Sequence, residues 1–145
     1  MNEGLTFGSA LYAKLLRAGS RKWEDLGFLS DRCVTTVGVN WLSAGGAFTE
    51  LTTHATGQDD TAESVSDTAM KSLAGSTSAG IVSVGSSPNI VRCVGIITYS
   101  QTYNIVEYGV FAGGILWDRS VVGKVEVHCG DKVQWVYELT INAGG

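Results

Sequence analysis

A histidine followed by acidic residues is the first feature of this sequence with side chains suited to chemistry. His54 precedes Asp59, Asp60 and Glu63, and imidazole and carboxylate groups are common ligands of divalent cations. Their spacing matches no metal-binding loop, and acidic stretches rich in Thr and Ser are usually solvated. We therefore predict neither a bound metal nor another cofactor.

Two further arrangements suggest catalysis, and each has a simpler interpretation. A Cys–His nucleophile pair needs converging side chains, whereas His128 and Cys129 are adjacent near a strand end and are expected to point to opposite faces. Glu107, Asp118 and Glu138 are candidates for the carboxylate pair of a glycosidase. Each lies in or beside an alternating strand, where an acid is expected to face outward. The sequence therefore predicts that the protein is not an enzyme.

The cysteines and the charges indicate neither a disulfide framework nor a nucleic-acid partner. Cys33, Cys93 and Cys129 are far apart and include no C-x-x-C pair, so buried thiols are the simplest interpretation. A nucleic-acid surface needs clustered Lys and Arg, but the formal net charge is −4, and Glu24 and Asp25 directly follow the densest basic group. That group consists of Lys14, Arg17, Arg21 and Lys22. A direct nucleic-acid partner is therefore not expected.

The length and composition of the chain limit its class. Its 145 residues are enough for one domain with a substantial core and too few for two. The hydrophobic fraction of 44% is typical of globular rather than disordered chains. No apolar run reaches the ~18 residues of a membrane helix, and the N-terminus lacks the parts of a signal peptide. We expect a protein that is synthesised in the cytoplasm and has no membrane partner.

The elements that position these residues are predicted to be mostly strands. From Lys132 to Ile141 every second residue is large and apolar, and this period of two predicts a strand with one buried face. Further β-rich runs at 90–99, 103–111, 115–122 and 124–128 alternate with turns, many of them containing some of the 19 glycines. The pattern predicts an all-β fold, an antiparallel β-sandwich or jelly roll.

The N-terminal part is predicted to be more varied. Ser9 as an N-cap, with Leu11, Leu15 and Leu16 on one side, indicates a short N-terminal helix over residues 9–18. Strands are predicted at 33–42 and 48–53, followed by a long excursion over 54–87 that contains a short helix near 66–73 and a strand at 81–84. We thus predict a single domain, in which residues 1–32 form a helical or extended segment and residues 33–145 form the sandwich.

Three runs in the C-terminal half form a recognisable set. They are IVEYGVF at 105–111, ILWDRS at 115–120, and Gly130-Asp131 leading into WVYELTI at 135–141. Upstream lie Thr56-Gly57, TAES at 61–64 and DTA at 67–69. Together these runs resemble the C-terminal signature, and the loop before it, of small virion proteins of tailed bacteriophages. The resemblance covers residues 54–145.

This resemblance implies a structural protein of the virion. Its relatives include capsid decoration (cement) proteins with β-sandwich or jelly-roll folds, and tail or baseplate proteins. We expect a decoration protein on the capsid surface that binds and stabilises the shell of the major capsid protein and self-associates as a dimer or trimer. A tail, baseplate or neck component is the alternative within the virion. A carbohydrate-binding β-sandwich for host adsorption is the alternative of a different class.

The N-terminal segment is the predicted partner interface, because it concentrates apolar and aromatic side chains ahead of the sandwich. The candidate residues are Tyr12, Leu15, Leu16, Trp23, Leu26 and Phe28. The same segment is equally suited to closing one end of its own sandwich.

Overall fold

The computed structural model describes residues 6–31 and 33–143, which form nine strands, one short α-helix and one 3₁₀ turn. The helix α1 is Thr36–Ser43, and the 3₁₀ turn is Phe48–Glu50. The strands are β1 (Thr6–Leu16), β2 (Glu24–Ser30), β3 (Thr53–Gly57), β4 (Ser78–Ala79), β5 (Ile81–Val84), β6 (Ile90–Thr98), β7 (Tyr103–Ala112), β8 (Ile115–Val127) and β9 (Lys132–Asn142). In these ranges, neither helix has the length and apolar character needed to cross a membrane.

The strands form two antiparallel sheets. Sheet A has five strands in the order β2-β1-β9-β6-β5, and sheet B has four in the order β4-β3-β7-β8. The chain passes from sheet B to sheet A at Gly80, between β4 and β5. The predicted all-β sandwich is therefore confirmed.

The inner faces of the two sheets share one core. In β9 the predicted alternation is confirmed, because Val133, Trp135, Tyr137 and Leu139 are all buried. The ring of Tyr108 from β7 lies 5.3 Å from that of Trp135, centroid to centroid. Aromatic contacts of this kind join the two sheets at the centre of the molecule.

The helix predicted over residues 9–18 is wrong, because this stretch lies within strand β1 and the turn after it. Leu11, Ala13 and Leu15 are buried at every second position. Leucines at 11 and 15 satisfy both the helical spacing of four and the strand period of two. Pairing with β9 along all eleven residues of β1 decides between them, since tertiary contacts override a weak local preference.

The strand predicted at 33–42 is also wrong, because most of this stretch forms α1. Thr35 is the N-cap, and its side chain accepts a hydrogen bond from Gly38 N at 3.0 Å. Gly38 packs against Trp117: a Cβ at Gly38 would come within 2.9 Å of the Trp117 ring and 3.0 Å of its Cα. The cap and this close approach outweigh the strand preference of the valines at 37 and 39.

We expect Thr35→Ala to lower the free energy of unfolding by about 1–2 kcal/mol. The substitution removes the cap, and it also removes the hydrogen bond that the Thr35 hydroxyl donates to Leu116 O at 2.6 Å. Urea unfolding measures the change. Thr36→Ala is the matched control, because Thr36 is exposed at the first helical position. Equal losses in the two variants would contradict the capping role.

Other predicted elements need smaller corrections. Residues 48–53 form the 3₁₀ turn and the first residue of β3 rather than a strand. The excursion starts later than predicted, because residues 54–57 are buried in β3. Residues 66–73 form an irregular stretch with bends and an isolated bridge from Leu73 to Gly57 instead of a short helix. The two runs at 115–122 and 124–128 join into β8, which continues through Gly123, while the strand at 81–84 is confirmed as β5.

The N-terminal segment belongs to sheet A. Strands β1 and β2 supply two of its five strands, and β1 lies between β2 and β9. Some residues of the two predicted segments, 1–32 and 33–145, lie outside the described residues. These are residues 1–5, 32, 144 and 145.

Candidate functional site

Residues 58–77, here called the strap, cover the outer face of sheet B. Glu107 of β7 and Arg119 of β8 project from that face, and both side chains are fully buried. The Glu107 carboxylate accepts hydrogen bonds from the backbone N–H groups of Lys71 at 3.2 Å and Ser72 at 2.7 Å. The strap is therefore attached to the sheet through a buried charge.

Arg119 is the second attachment point of the strap. Its Nε donates to Glu107 Oε2 at 2.7 Å, and one terminal nitrogen donates to Asp67 Oδ2 at 3.2 Å and to Thr61 O at 3.0 Å. The other terminal nitrogen donates to Asp59 O at 3.3 Å. Because the guanidinium donates to four oxygen atoms of the protein, this cluster is suited to holding the strap rather than to binding a ligand.

The charge of Asp67 fits this structural role. Burial raises the pKa of its carboxyl, but the hydrogen bond from Ser64 N and the positive charges of Arg119 and Lys71 outweigh burial and hold the pKa below 3.8. Asp67 therefore stays ionised beside Arg119 at neutral pH.

Asp118 forms a separate cluster inside the sandwich. Its carboxylate accepts hydrogen bonds from Tyr137 Oη at 2.7 Å and from Cys33 N at 2.5 Å, and Tyr137 Oη accepts one from Trp117 Nε1 at 3.1 Å. Burial raises the pKa of Asp118 to about 6, against the opposing effect of its hydrogen bonds. This network joins β8 of sheet B to β9 of sheet A.

The three acids considered as a glycosidase pair lie on three different surfaces of the two sheets. Asp118 pairs with Val110, whose side chain is in the core, whereas Glu107 projects under the strap from the other face of sheet B. Glu138 lies on sheet A, opposite Arg92. The expectation that such acids face water is wrong for Glu107 and Asp118, since the strap covers one and the interior encloses the other.

His54 is remote from the acidic residues that follow it in sequence. It is buried in β3, where its Nδ1 lies 2.5 Å from Tyr108 Oη, and burial lowers its pKa to about 4. Asp59 meets Arg119 on the opposite face of the sheet, and Glu63 Oε2 accepts from Val121 N at 2.7 Å. Within 6–31 and 33–143, no group of three or more His, Cys, Asp and Glu side chains is arranged to hold a metal ion.

His128 and Cys129 lie at the surface, in the turn between β8 and β9. His128 Nε2 is 3.2 Å from Glu126 Oε1, and His128 Nδ1 is 3.3 Å from Thr102 Oγ1. Cys93, by contrast, is buried, and burial raises the pKa of its thiol to about 12. The prediction of buried thiols is thus right for Cys93 and wrong for the exposed Cys129.

The outer face of sheet A, turned away from the core, carries an uninterrupted line of apolar side chains. The strand register places one residue of each strand opposite the next, from β2 through β1, β9 and β6 to β5. These residues, here called the apolar row, are Phe28, Tyr12, Val136, Val94 and Ile81. A row of this kind crosses the sheet from one edge to the other.

Exposure along the apolar row is highest at its two ends. Phe28 is 56% exposed and Ile81 75%, while Val136 at the centre is only 7% exposed. Val136 follows Trp135, which faces the core, so the side chain of Val136 is on the outer face of the sheet. The rings of Tyr12 and Phe28 meet edge to face at 6.0 Å.

Pairs of opposite charge border the apolar row on both sides. Arg92 lies opposite Glu138 on one side, and Lys14 lies opposite Asp25 on the other. A depression of about 350 Å³ at the Phe28 end is lined by residues of the row and of these borders. An apolar centre with a polar rim is the arrangement of protein interfaces.

The structure brings only part of the predicted interface to this face. Tyr12 and Phe28 belong to the apolar row, whereas Leu15 faces the core and is buried. Leu16, Trp23 and Leu26 are half-buried. The prediction missed Val136, Val94 and Ile81, because only the strand register places them beside Tyr12. The sequence could have indicated the outward orientation of Val136, because this residue lies between two aromatic residues that face the core.

The two facing antiparallel sheets place the protein in the class of all-β sandwiches. Comparison with family models, with curated proteins and with solved structures finds no match to this chain. Its surfaces and buried clusters are therefore the observations that bear on function.

Proposed function

We propose that this chain is a structural protein of a tailed-bacteriophage virion, namely a capsid decoration (cement) protein that binds the shell of the major capsid protein. The apolar row on the outer face of sheet A carries the proposal. The sequence resemblance described above supplies the partner, and the row supplies a surface of the kind such a partner needs.

The chemistry of the row suits docking onto a protein shell. Aromatic side chains are enriched where protein interfaces gain most of their free energy, and Tyr12 and Phe28 lie together at one end of the row. Buried apolar area contributes about 25 cal/mol per Å² before association costs. The paired charges beside the row balance each other, so they favour a protein partner over a polyanion.

The buried charges also fit a structural role. Arg119, Glu107 and Asp67 hold the strap to sheet B, and Asp118 joins the two sheets through Tyr137. These polar side chains act within the fold, which leaves the outer face of sheet A as the surface proposed to bind a partner.

Copy number in the particle tests the location. Quantitative mass spectrometry of purified virions that carry this chain is expected to find it at a level comparable to that of the major capsid protein. Presence at a small fraction of that level would contradict the cement role and favour a tail, baseplate or neck component. Absence from the particle would contradict a virion role altogether.

We expect Phe28→Ser to weaken binding to capsid shells that lack this protein by roughly tenfold or more, which is about 1.4 kcal/mol. The substitution removes an exposed aromatic side chain from the end of the row. Co-sedimentation with the shells measures the affinity, and Tyr12→Ser is expected to act in the same direction.

Leu73→Ser is the matched control for this measurement. Leu73 is 57% exposed, close to the 56% of Phe28, but it lies on the strap over the other sheet. Equal binding by Phe28→Ser and Leu73→Ser would contradict docking through the apolar row. Glycan-array binding by the isolated protein, lost when Trp23 or Trp41 is replaced, would favour the carbohydrate-binding alternative instead.

A further inference from the structure

The edges of the two sheets differ in how they are protected against pairing with another strand. Edge β2 of sheet A contains Glu24 and Asp25, and its register with β1 shifts twice. Charges and irregular pairing of this kind discourage strand addition. In sheet B, edge β4 has only two residues.

The remaining edge of sheet B, on β8, is covered by the chain itself. Cys33 N donates to Arg119 O at 3.1 Å, and Thr35 N donates to Trp117 O at 2.9 Å. Further along β8, the side chain of Glu63 accepts the hydrogen bond of Val121 N. Three of the four sheet edges are thus short, charged or covered.

Strand β5 is the edge, within the described part of the chain, that carries no charge and pairs with its neighbour in an unbroken register, although the 3₁₀ turn Phe48–Glu50 contacts it. Its four residues, Ile-Val-Ser-Val, include no charge, no proline and no glycine. Ile81 is 75% exposed and Val84 is 68% exposed. A strand with apolar side chains exposed on both of its faces is a template for pairing.

We propose that β5 pairs with β5 of a second copy of this chain, antiparallel and about a two-fold axis normal to sheet A. The strand complements itself in the register centred on Ser83. There Ser83 faces Ser83 of the second copy, and Val82 faces Val84. Valine pairs and hydroxyl pairs are favourable across antiparallel strands, and this uncharged strand brings no like charges together despite the net charge of −4.

The same geometry predicts a closed dimer. In an isologous pair each β5 edge is used once, and the charged, irregular β2 edge opposes further growth of the sheet. Four residues on each side form a small contact, so the dimer is expected to be weak. This inference stands without the proposed function.

Together with the proposed function, the dimer has a consequence for docking. A two-fold axis normal to the sheet leaves both outer faces on one side of a ten-stranded sheet, with the two apolar rows on that shared face. Two linked docking faces bind a repetitive shell more tightly than one.

Sedimentation equilibrium of the full chain tests the pairing, with no capsid present, so its result is separate from that of the docking test. A monomer–dimer equilibrium is expected in the wild type and a loss of dimer by tenfold or more in Ser83→Lys, which places two lysines face to face. Ser100→Lys is the control, because Ser100 is exposed in the turn after β6. A wild type that is monomeric at roughly 1 mM, a dimer unaffected by Ser83→Lys, or equal losses in both variants would overturn the proposal.

If Ser83→Lys does not fold, a cross-linking experiment tests the pairing of β5 with β5 of a second copy. In a Cys129→Ser background, Ser83→Cys is expected to form an intermolecular disulfide on mild oxidation, because facing Cα atoms in an antiparallel pair are about 4.5–5.5 Å apart, within the range that disulfides span. Ser100→Cys in the same background is expected to form no intermolecular disulfide, because Ser100 lies outside β5. Equal cross-linking at both positions, or none at Ser83→Cys, would overturn the pairing.

Discussion

Arg119→Met is expected to lower the free energy of unfolding by about 3–5 kcal/mol. The substitution leaves the Glu107 carboxylate buried without the arginine that neutralises it, and it leaves Lys71, 3.4 Å away, as the remaining cation beside Asp67. Removing one partner of a buried ion pair costs far more than the pair contributes, because the remaining charge is no longer compensated. Urea unfolding at neutral pH measures the loss.

Arg92→Met is the matched control, because Arg92 is an exposed arginine on the outer face of sheet A. Its loss is expected to stay within about 0.5 kcal/mol. The double variant Glu107→Gln with Arg119→Met is expected to lose less than the sum of the single losses, by about 0.5–3 kcal/mol. A loss in Arg119→Met no larger than that in Arg92→Met would contradict the role of the buried cluster.

The part of the structure that Arg119→Met destabilises most is a second measurable property of this variant. The amides of Lys71 and Ser72 donate to Glu107, so the strap depends on this cluster for its attachment. In Arg119→Met, hydrogen exchange of these two amides is expected to accelerate more than exchange in the central strand β9. Uniform acceleration across the molecule would show that the cluster stabilises the whole fold without a particular role in the strap.

The strands of the C-terminal half were predictable because their local pattern and their final environment agree. In β9 the alternation of large apolar residues has a strand period that a helix cannot share, and the core accepts those residues. In β1 the leucines at 11 and 15 fit both periods, and the partner strand decides. The sequence does not tell which strand will pair with β1, and that pairing is known only from the fold.

The candidate interface was only partly predictable for a related reason. Tyr12 and Phe28 are aromatic residues in a segment that is rich in apolar side chains, and they do reach the surface. Leu15 looked equivalent, but strand parity turns it toward the core. Val94 and Ile81 join the row through register alone, which composition and spacing do not specify.

The buried charges were missed because a strand pattern does not show what covers the outer face of a sheet. Glu107 and Arg119 lie twelve residues apart on neighbouring strands, at positions that a two-layer sandwich leaves in water. The strap adds a partial third layer there and brings Asp67 to Arg119. A loop rich in Ser, Thr and Asp has no apolar periodicity from which its packing on the outer face of sheet B could be predicted.

The stability of the wild type is expected to change little between pH 6 and pH 4, because two buried groups oppose each other. Burial lowers the pKa of His54 from 6.5 to about 4, and burial raises the pKa of Asp118 from 3.8 to about 6. Carboxyls whose pKa is lowered, such as Asp67, lose their contribution only below this window.

The sign for His54 follows from proton binding. Between pH 6.5 and 4 the unfolded state binds a proton at this side chain that the folded state does not, so stability falls as the pH falls. At 1.36 kcal/mol for each pKa unit, the full loss is about 3 kcal/mol.

The sign for Asp118 is opposite. Between pH 6 and 3.8 the folded state binds a proton at this carboxyl that the unfolded state does not, so stability rises as the pH falls. The gain is also about 3 kcal/mol.

Asp118→Asn is therefore expected to expose the contribution of His54. The amide keeps the shape of the side chain and does not titrate, so the stability of this variant relative to wild type is expected to fall by about 2 kcal/mol from pH 6 to pH 4, the part of the full Asp118 contribution that falls within this range. His54→Asn is expected to change in the opposite direction over the same range, because it leaves Asp118 unopposed. Urea unfolding of the three proteins at several pH values measures both differences, and subtracting wild type removes the groups they share. Variant-minus-wild-type differences that do not change with pH would contradict the opposing titrations, since a loss of packing alone shifts stability equally at every pH.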